Sequence, residues 1–265
     1  MLTKSHGLGN DYLVADPAEL PFDVTPKRVQ LLCDRHVGVG SDGLLLLDAP
    51  LGVHIFNPDG SEAEKSGNGL RIFARWLYAT GRVSSPEFTI HTHGGDAAVE
   101  IGPEQDVTVD MGRPTFRNDV LSLSIEGENV PIVAVSVGNP HCVIFRERLD
   151  VIELRRLGPR IETHAAFPDR TNVQFVHPLD SASLELLIWE RGAGETQASG
   201  SSSCAAVAAA HRAGLVGSDV TARMPGGELH IRVDADGRLW LRGPVEEVAT
   251  IQLSAELIRR LQALP

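Results

Sequence analysis

The sequence predicts an α+β fold made of two similar halves, on three observations. Glycine (26) and proline (16) punctuate the 265 residues densely, and the runs between them are short and β-branched, as strands are. Two segments break this texture with apolar residues at helical spacing. Both are entered through the same context, in which a Gly and a Glu precede a Ser-Gly step by a few residues.

In chain order, a short helix is expected near Thr25 to Arg35, then strands at Gly43 to Leu47 and Val53 to Phe56. Leu70 to Tyr78 places Leu70, Phe73, Ala74 and Leu77 on one helical face and stops at Gly81. Strands follow at Phe88 to His91 and Val107 to Asp110. The second half has strands at Val133 to Val137 and Cys142 to Phe145, a short helix from Val151 to Leu157, and an apolar strand from Leu184 to Trp189. Cys204 to Ala213, almost all alanine and small apolar residues, is the second buried helix and stops at Gly214. A last helix is expected near Ser254 to Leu264. The shared entrances, Gly60 to Gly69 and Gly192 to Ser202, indicate an internal duplication: lobes of residues 1–116, completed by 253–265, and 117–252.

Composition excludes several function classes. Lys+Arg 24 against Asp+Glu 35 gives a net charge of −11, which disfavours binding to nucleic acid or anionic membrane. No apolar run approaches the roughly 18 to 20 residues that a membrane span needs, and the segment from Met1 to Val14 lacks a signal-peptide pattern, so the cytosol is the expected compartment. Three scattered cysteines, Cys33, Cys142 and Cys204, make neither a disulfide framework nor a cysteine zinc site, and the histidines lack metal-ligand spacing, so no metal is expected.

A helix N-terminus offers free N–H groups and positive partial charge, and glycines there let an anion reach the backbone. Ser66-Gly67-Asn68 and Ser199-Gly200-Ser201 are two such entrances, and could face each other across a cleft; as isolated features both serines are ordinary N-caps. Nearby lie Asn10, Asn57, Asn139 and Asn172, a residue type that often serves turns for backbone reasons. Glu190-Arg191 runs from a strand into the second glycine-rich loop, where a guanidinium can hold a carboxylate. His141, after Pro140 and before an apolar strand, is a candidate acid/base modulator or a satisfied core histidine.

Asn57-Pro58-Asp59-Gly60-Ser61-Glu62, Ser66-Gly67-Asn68-Gly69-Leu70-Arg71 and Glu190-Arg191-Gly192-Ala193-Gly194-Glu195-Thr196 resemble the diaminopimelate epimerase family. His6 to Tyr12, Arg35 to Gly43, Gly138 to His141, Thr171 to Val173 and Pro225 to Gly227 carry the resemblance, in order, over essentially the whole chain. It implies two pseudo-symmetric lobes, each a β-structure wrapped round a central helix, with the active site in the cleft between them. It implies a cofactor-independent isomerase that interconverts LL- and meso-diaminopimelate, a precursor of lysine and peptidoglycan, by two-base proton transfer at Cα. A homodimer is implied as well. Asn68, Glu190 and the backbone of Gly67, Gly200 and Ser201 would hold the α-amino and α-carboxylate groups. Asn10, Asn57, Asn172 and Arg191 would hold the distal end, with Asn139 nearby, and His141 and Glu190 would tune the acid/base groups. A proline-racemase-like isomerase is the alternative of similar architecture, but its substrate has no second amino-acid end to occupy Arg191.

The family's two catalytic cysteines are Ser66 and Ser199 here. A thiol near pKa about 8.5 is brought toward neutrality by a helix N-terminus, whereas an alkyl hydroxyl starts many units higher. A serine base would need a partner, for which the resemblance offers His141 and Glu190. Three accounts fit: an introduced isosteric replacement, a natural branch with serine-based or altered chemistry, and a binding protein that keeps the pocket without turnover. Ser202 in place of the family's second glycine, within Ser201-Ser202-Ser203, favours the natural branch.

Overall fold

The computed structural model describes residues 1–104, 106–119 and 121–265. The chain divides into two units, Met1–Val109 with Pro244–Pro265, and Asp110–Gly243.

The first unit opens with β1 (Leu2–Gly7) and β2 (Asn10–Ala15), followed by α1 (Pro26–Cys33), β3 (Leu44–Asp48), β4 (Gly52–Phe56) and β5 (Glu62–Ala63). The central helix α2 (Gly67–Ala79) comes next, then β6 (Glu87–Thr92), β7 (Gly95–Ile101) and β8 (Val107–Gly112), whose last three residues are counted with the second unit. β1 pairs antiparallel with β2, β2 parallel with β3, and β3 antiparallel with β4. β4 then pairs antiparallel with β5 and parallel with β6, and β6, β7 and β8 form an antiparallel meander.

The second unit repeats this plan. It begins with β9 (Thr115–Arg117) and an added hairpin, β10 (Ser122–Ile125) and β11 (Glu128–Pro131). Then come β12 (Val133–Ser136), β13 (Pro140–Phe145), α3 (Val151–Glu162), β14 (Asn172–Asp180), β15 (Ser183–Glu190) and β16 (Gly194–Thr196). The central helix α4 (Gly200–Arg212) and β17 (Asp219–Met224), β18 (Gly227–Val233) and β19 (Leu239–Gly243) complete it. The pairings recur in the same order and sense: β12–β13 antiparallel, β13–β14 parallel, β14–β15 and β15–β16 antiparallel, β15–β17 parallel, then the meander β17–β18–β19. β20 (Glu246–Ile251) and α5 (Ala255–Gln262) return to the first unit. β20 lies antiparallel to β1 as β9 lies antiparallel to β12.

These two pairings determine where the units divide. The sequence places the joints at 116/117 and 252/253, whereas the units change over at Val109/Asp110 and Gly243/Pro244. β9 belongs with β12 and β20 with β1, partnerships made by long-range hydrogen bonds that no local signal announces.

Each central helix is enclosed by strands of its own unit. Leu70, Ile72, Phe73, Ala74 and Leu77 of α2 are fully buried, and the helix packs on β1, β2 and β7. α4 contacts strands from both parts of its unit, β12 to β15 and β17 to β19. Its alanines, Ala205 to Ala210 apart from Val207, are thin enough for strands to close round it while giving the best intrinsic helix propensity. Both helices begin earlier than apolar periodicity suggests, at Gly67 and Gly200. Their caps set the start: Ser66 and Ser199 are extended, and each Oγ accepts an N–H three residues on, from Gly69 (3.0 Å) and Ser202 (3.5 Å).

The outer helices are amphipathic covers. Val29, Leu32 and Cys33 of α1 and Leu261 of α5 join Leu2, Leu13, Leu44 and Leu46 in one core. Arg28 on α1 fastens α5 by donating to the carbonyls of Leu261 (2.9 Å) and Leu264 (2.6 Å). Leu154, Leu157 and Ile161 of α3 pack on Cys142, Ile144, Val173 and Phe175 in the second unit.

Candidate active site

In the first unit the predicted residues gather at the opening turn of α2. Geometry leaves the first N–H groups of a helix outside its own ladder, and at α2 these belong to Gly67 and Asn68, while Ser66 caps the third. Ser66 Oγ also shares a hydrogen bond of 3.3 Å with the Tyr12 hydroxyl. Asn68 Nδ2 donates to Asn10 Oδ1 (3.1 Å), and Asn10 Nδ2 donates to Asp42 Oδ2 (3.1 Å). The fully buried Arg71 donates to Asn68 Oδ1 (2.8 Å) and to the Gly67 carbonyl (3.3 Å), which fixes the orientation of the Asn68 amide.

Behind Asn10 stands a charged brace. Arg35 Nη2 reaches Asp11 (2.6 Å) and Asp42 (2.7 Å), and Lys4 Nζ reaches Asp11 (2.9 Å). Burial acts to raise the Asp11 pKa, but hydrogen bonds from Arg35 and Lys4 outweigh it and hold the group at about 2. Asn57 does not join this cluster: its Nδ2 donates to Ser61 Oγ (3.0 Å) within the turn from β4 to β5.

In the second unit Ser199, Gly200 and Ser201 form the opening turn of α4. Ser199 is buried, and its N–H points at Met224 Sδ (3.5 Å). Ser202 is fully buried, and its Oγ accepts from Gln174 Nε2 (3.0 Å), which also donates to His141 Nδ1 (3.0 Å). His141 Nε2–H in turn donates to Asn139 Oδ1 (2.8 Å). Both ring nitrogens are therefore engaged, and burial, with the Arg191 charge in the same direction, drives the His141 pKa to about 3. In this arrangement His141 is a neutral, oriented dipole with both ring nitrogens hydrogen-bonded.

The neutral ring has a measurable consequence. An unfolded histidine titrates near 6.5, so between pH 6.5 and 3 the unfolded chain binds a proton that the folded chain does not. Stability is therefore lost as pH falls through this window, by up to about 1.4 kcal/mol per pH unit from this group. Urea unfolding at pH 7 and pH 5 should show the loss in the parent and a smaller one in His141→Gln; equal losses would contradict a neutral buried imidazole.

Asn172 opens β14 and Arg191 follows β15; parallel and antiparallel ladders bring their backbones together. Asn172 Oδ1 accepts the Arg191 N–H (2.9 Å), Asn172 Nδ2 donates to the Pro140 carbonyl (3.0 Å), and Arg191 Nη1 donates to the Asp169 carbonyl (3.0 Å). Glu190 is the last, half-buried residue of β15. The next turn is held by Glu162, which accepts from the Gly192 N–H (2.9 Å) and Trp189 Nε1 (2.8 Å). All three cysteines are buried, and burial pushes the thiols of Cys33 and Cys142 up, away from thiolate chemistry.

Sequence reasoning missed Gln174, Glu162, Asp42, Tyr12 and the role of Arg35. Each acts through a partner distant in sequence; only Arg35 and Asp42, inside the Arg35 to Gly43 stretch, and Tyr12, beside Asn10, lay in segments already marked.

Comparison with known proteins agrees with the duplicated plan. The family model described as diaminopimelate epimerase matches twice, over residues 2–117 and 133–248. Diaminopimelate epimerase 2 of Nostoc sp. is 42% identical, covering 96% of this chain and 95% of that protein. Diaminopimelate epimerase of Pelotomaculum thermopropionicum is 41% identical, covering 93% and 96%. Among solved structures, a phenazine biosynthesis protein of the PhzF family from Bacillus anthracis superposes with a TM-score of 0.71 at 16% identity, covering 94% of this chain and 96% of that one. A probable proline racemase from Agrobacterium radiobacter also gives 0.71, at 14% identity, covering 96% and 92%. At such identities these structures share the fold alone, whereas sequence likeness over almost its full length decides kinship: the chain belongs to the diaminopimelate epimerase family.

Proposed function

We propose that this protein binds diaminopimelate and inverts its Cα without a cofactor, with Ser66 at one proton-transfer position and Ser199 at the other. The observation that carries the reading is that both serines cap the enclosed helix of a duplicated unit and stand where the family resemblance puts its cysteines. The opening N–H groups, at Gly67 and Asn68 in one unit and Gly200 and Ser201 in the other, suit the α-carboxylate and the charge that develops as Cα loses its proton. In this reading Asn68 and Glu190 take the α-amino end; Asn10, Asn172 and Arg191 take the distal end, which Asn57 joins only by releasing Ser61; Asn139 holds the ring of His141. Arg35, Asp42, Gln174 and Glu162 are positioning residues.

Turnover through hydroxyl groups is slow. A second reading, a protein that binds the amino acid without inverting it, draws support from the engaged ring nitrogens of His141. Solvent deuterium exchange at Cα of LL-diaminopimelate separates the two: slow but protein-dependent exchange supports the epimerase, and none supports the binder. Calorimetry tests the distal end, where Arg191→Ala should weaken binding about tenfold to a hundredfold, the loss of charge-assisted hydrogen bonds. Unchanged affinity would remove Arg191 from the site.

We further infer a cytosolic homodimer, the setting that the family implies. Among the described residues no helix is long and apolar enough to cross a membrane. Light scattering at micromolar concentration reads the dimer directly.

A further inference from the structure

We propose that His54, Glu62 and His93 form a surface site for one divalent transition-metal ion of the zinc class. His93 is distant in sequence from the other two and the set lacks any metal-binding spacing, which is why the sequence led us to expect no metal. Folding of the first unit places one donor atom from each within 4.8 Å of the others.

His54 Nδ1 lies 2.6 Å from Glu62 Oε1, and His93 Nδ1 lies 3.5 Å from the same oxygen. The two imidazoles meet edge to face, with centroids 5.3 Å apart. Tetrahedral zinc with bonds of about 2.0 to 2.1 Å holds its ligand atoms about 3.3 Å apart. The His93–Glu62 distance already suits that separation, and the His54–Glu62 hydrogen bond has to open by only about 0.7 Å.

The backbone holds the donors in place. His54 lies on β4, and Glu62 on β5 faces Phe56, two residues along β4 on the same side of the strand. β6 runs beside β4, with Gly52 opposite His91, and delivers His93 to the turn before β7. That turn is fastened to the end of β5 by the Gly94 N–H, which donates to the Glu64 carbonyl (3.0 Å). The approach requires glycine, since a Cβ at Gly94 would stand 2.9 Å from that carbonyl oxygen. Thr92 Oγ1 tightens the turn by accepting from the Gly94 N–H (3.1 Å) and donating to the Gly95 carbonyl (2.8 Å).

Two imidazoles and one carboxylate are the donors that zinc, cobalt(II) and nickel(II) accept, while calcium and magnesium prefer all-oxygen sites. The Asp48 carboxylate stands 4.0 Å from His54 Nε2, beyond hydrogen-bond distance but adding negative charge on the far side of the ring. All three side chains are partly exposed, so a hydrated ion reaches them and keeps water at its open position.

The test uses untagged protein treated with chelator and then titrated with CoCl2, followed by visible absorption, and with ZnCl2, followed by calorimetry. One equivalent of Co2+ should produce a ligand-field band that Zn2+ abolishes. His54→Ala and His93→Ala should each weaken Zn2+ binding at least tenfold, and His36→Ala, on an exposed loop, should leave it unchanged. His93 sits in an exposed turn, so His93→Ala is expected to fold, and circular dichroism checks that it does. Absence of a stoichiometric Co2+ band, or Zn2+ binding insensitive to both His54→Ala and His93→Ala, would overturn the site and leave the triad a hydrogen-bonded surface cluster.

Discussion

Placing thiols at both helix caps, Ser66→Cys together with Ser199→Cys, is expected to raise Cα deuterium exchange on diaminopimelate by at least about a thousandfold. Each cap sits where helix N–H groups stabilise an anion, an effect of about 1 to 2 kcal/mol, or roughly one pKa unit. That lowers a thiol from about 8.5 toward neutrality and leaves an alkyl hydroxyl essentially un-ionised. Among the described residues Ser66 Oγ is bonded to the Gly69 N–H and the Tyr12 hydroxyl, and the His141 ring is committed to Gln174 and Asn139. Either single exchange should fall well short of the pair, because one of the two proton transfers would still run through a hydroxyl. Each cysteine is a poorer cap than serine and should cost about 1 kcal/mol, so thermal unfolding should drop slightly while exchange rises. Proton NMR in deuterium oxide follows the α-hydrogen; a double variant that folds, binds substrate and gains nothing would overturn the assignment of these positions.

The largest stability effect away from the hydrophobic core is expected at Glu162, where Glu162→Ala should cost about 2 to 3 kcal/mol. This buried carboxylate at the end of α3 accepts from the Trp189 indole, the Gly192 N–H and the half-exposed Arg170 (2.9 Å), so its loss leaves two donors without their acceptor while Arg170 turns to solvent. The Trp189 ring lies over Gly158 of α3, where a Cβ would approach it to 2.8 Å, so the packing cannot simply close over the gap. Glu162→Gln preserves shape and one acceptor and should cost about half as much. Urea unfolding followed by tryptophan fluorescence measures both, and a loss below about 1 kcal/mol for the alanine variant would show that the carboxylate is dispensable. Because the same carboxylate sets the turn bearing Glu190 and Arg191, the glutamine variant should also bind substrate more weakly.

What was legible in the sequence follows the range of the forces involved. Short apolar runs revealed β3, β4, β6, β8, β12, β13 and β15, since a strand with a buried face declares itself locally. β1, with Thr3, Lys4, Ser5 and His6, and β14, which opens on Asn172, were missed: their polar residues break the apolar signal, and sheet partners supply what it lacks. Asn10 and Asn172 likewise begin strands rather than sit inside turns. The starts of α2 and α4 were hidden because glycine and serine are poor helix formers, while their caps act regardless of propensity. In the site, local motifs marked the helix entrances and the Glu190-Arg191 step. The residues that orient them were not visible, because Gln174 meets His141 and Asp42 meets Asn10 only through the sheet.

The return of β20 to the edge of β1 gives this protein an order of assembly. The second unit is one continuous stretch, Asp110–Gly243, and can complete its pairings as soon as it leaves the ribosome. The first unit is synthesised earlier but must wait for the last segment of the chain, Pro244–Pro265, before β1 gains its outer neighbour and Leu261 covers Leu2, Leu13 and Leu44. During vectorial synthesis the older half is therefore the unfinished one, with an open strand edge and uncovered leucines that invite chaperones or aggregation. A chain truncated just after β19 and released from the ribosome should carry a protease-resistant C-terminal half and a protease-sensitive N-terminal one, the reverse of the order in which they were made.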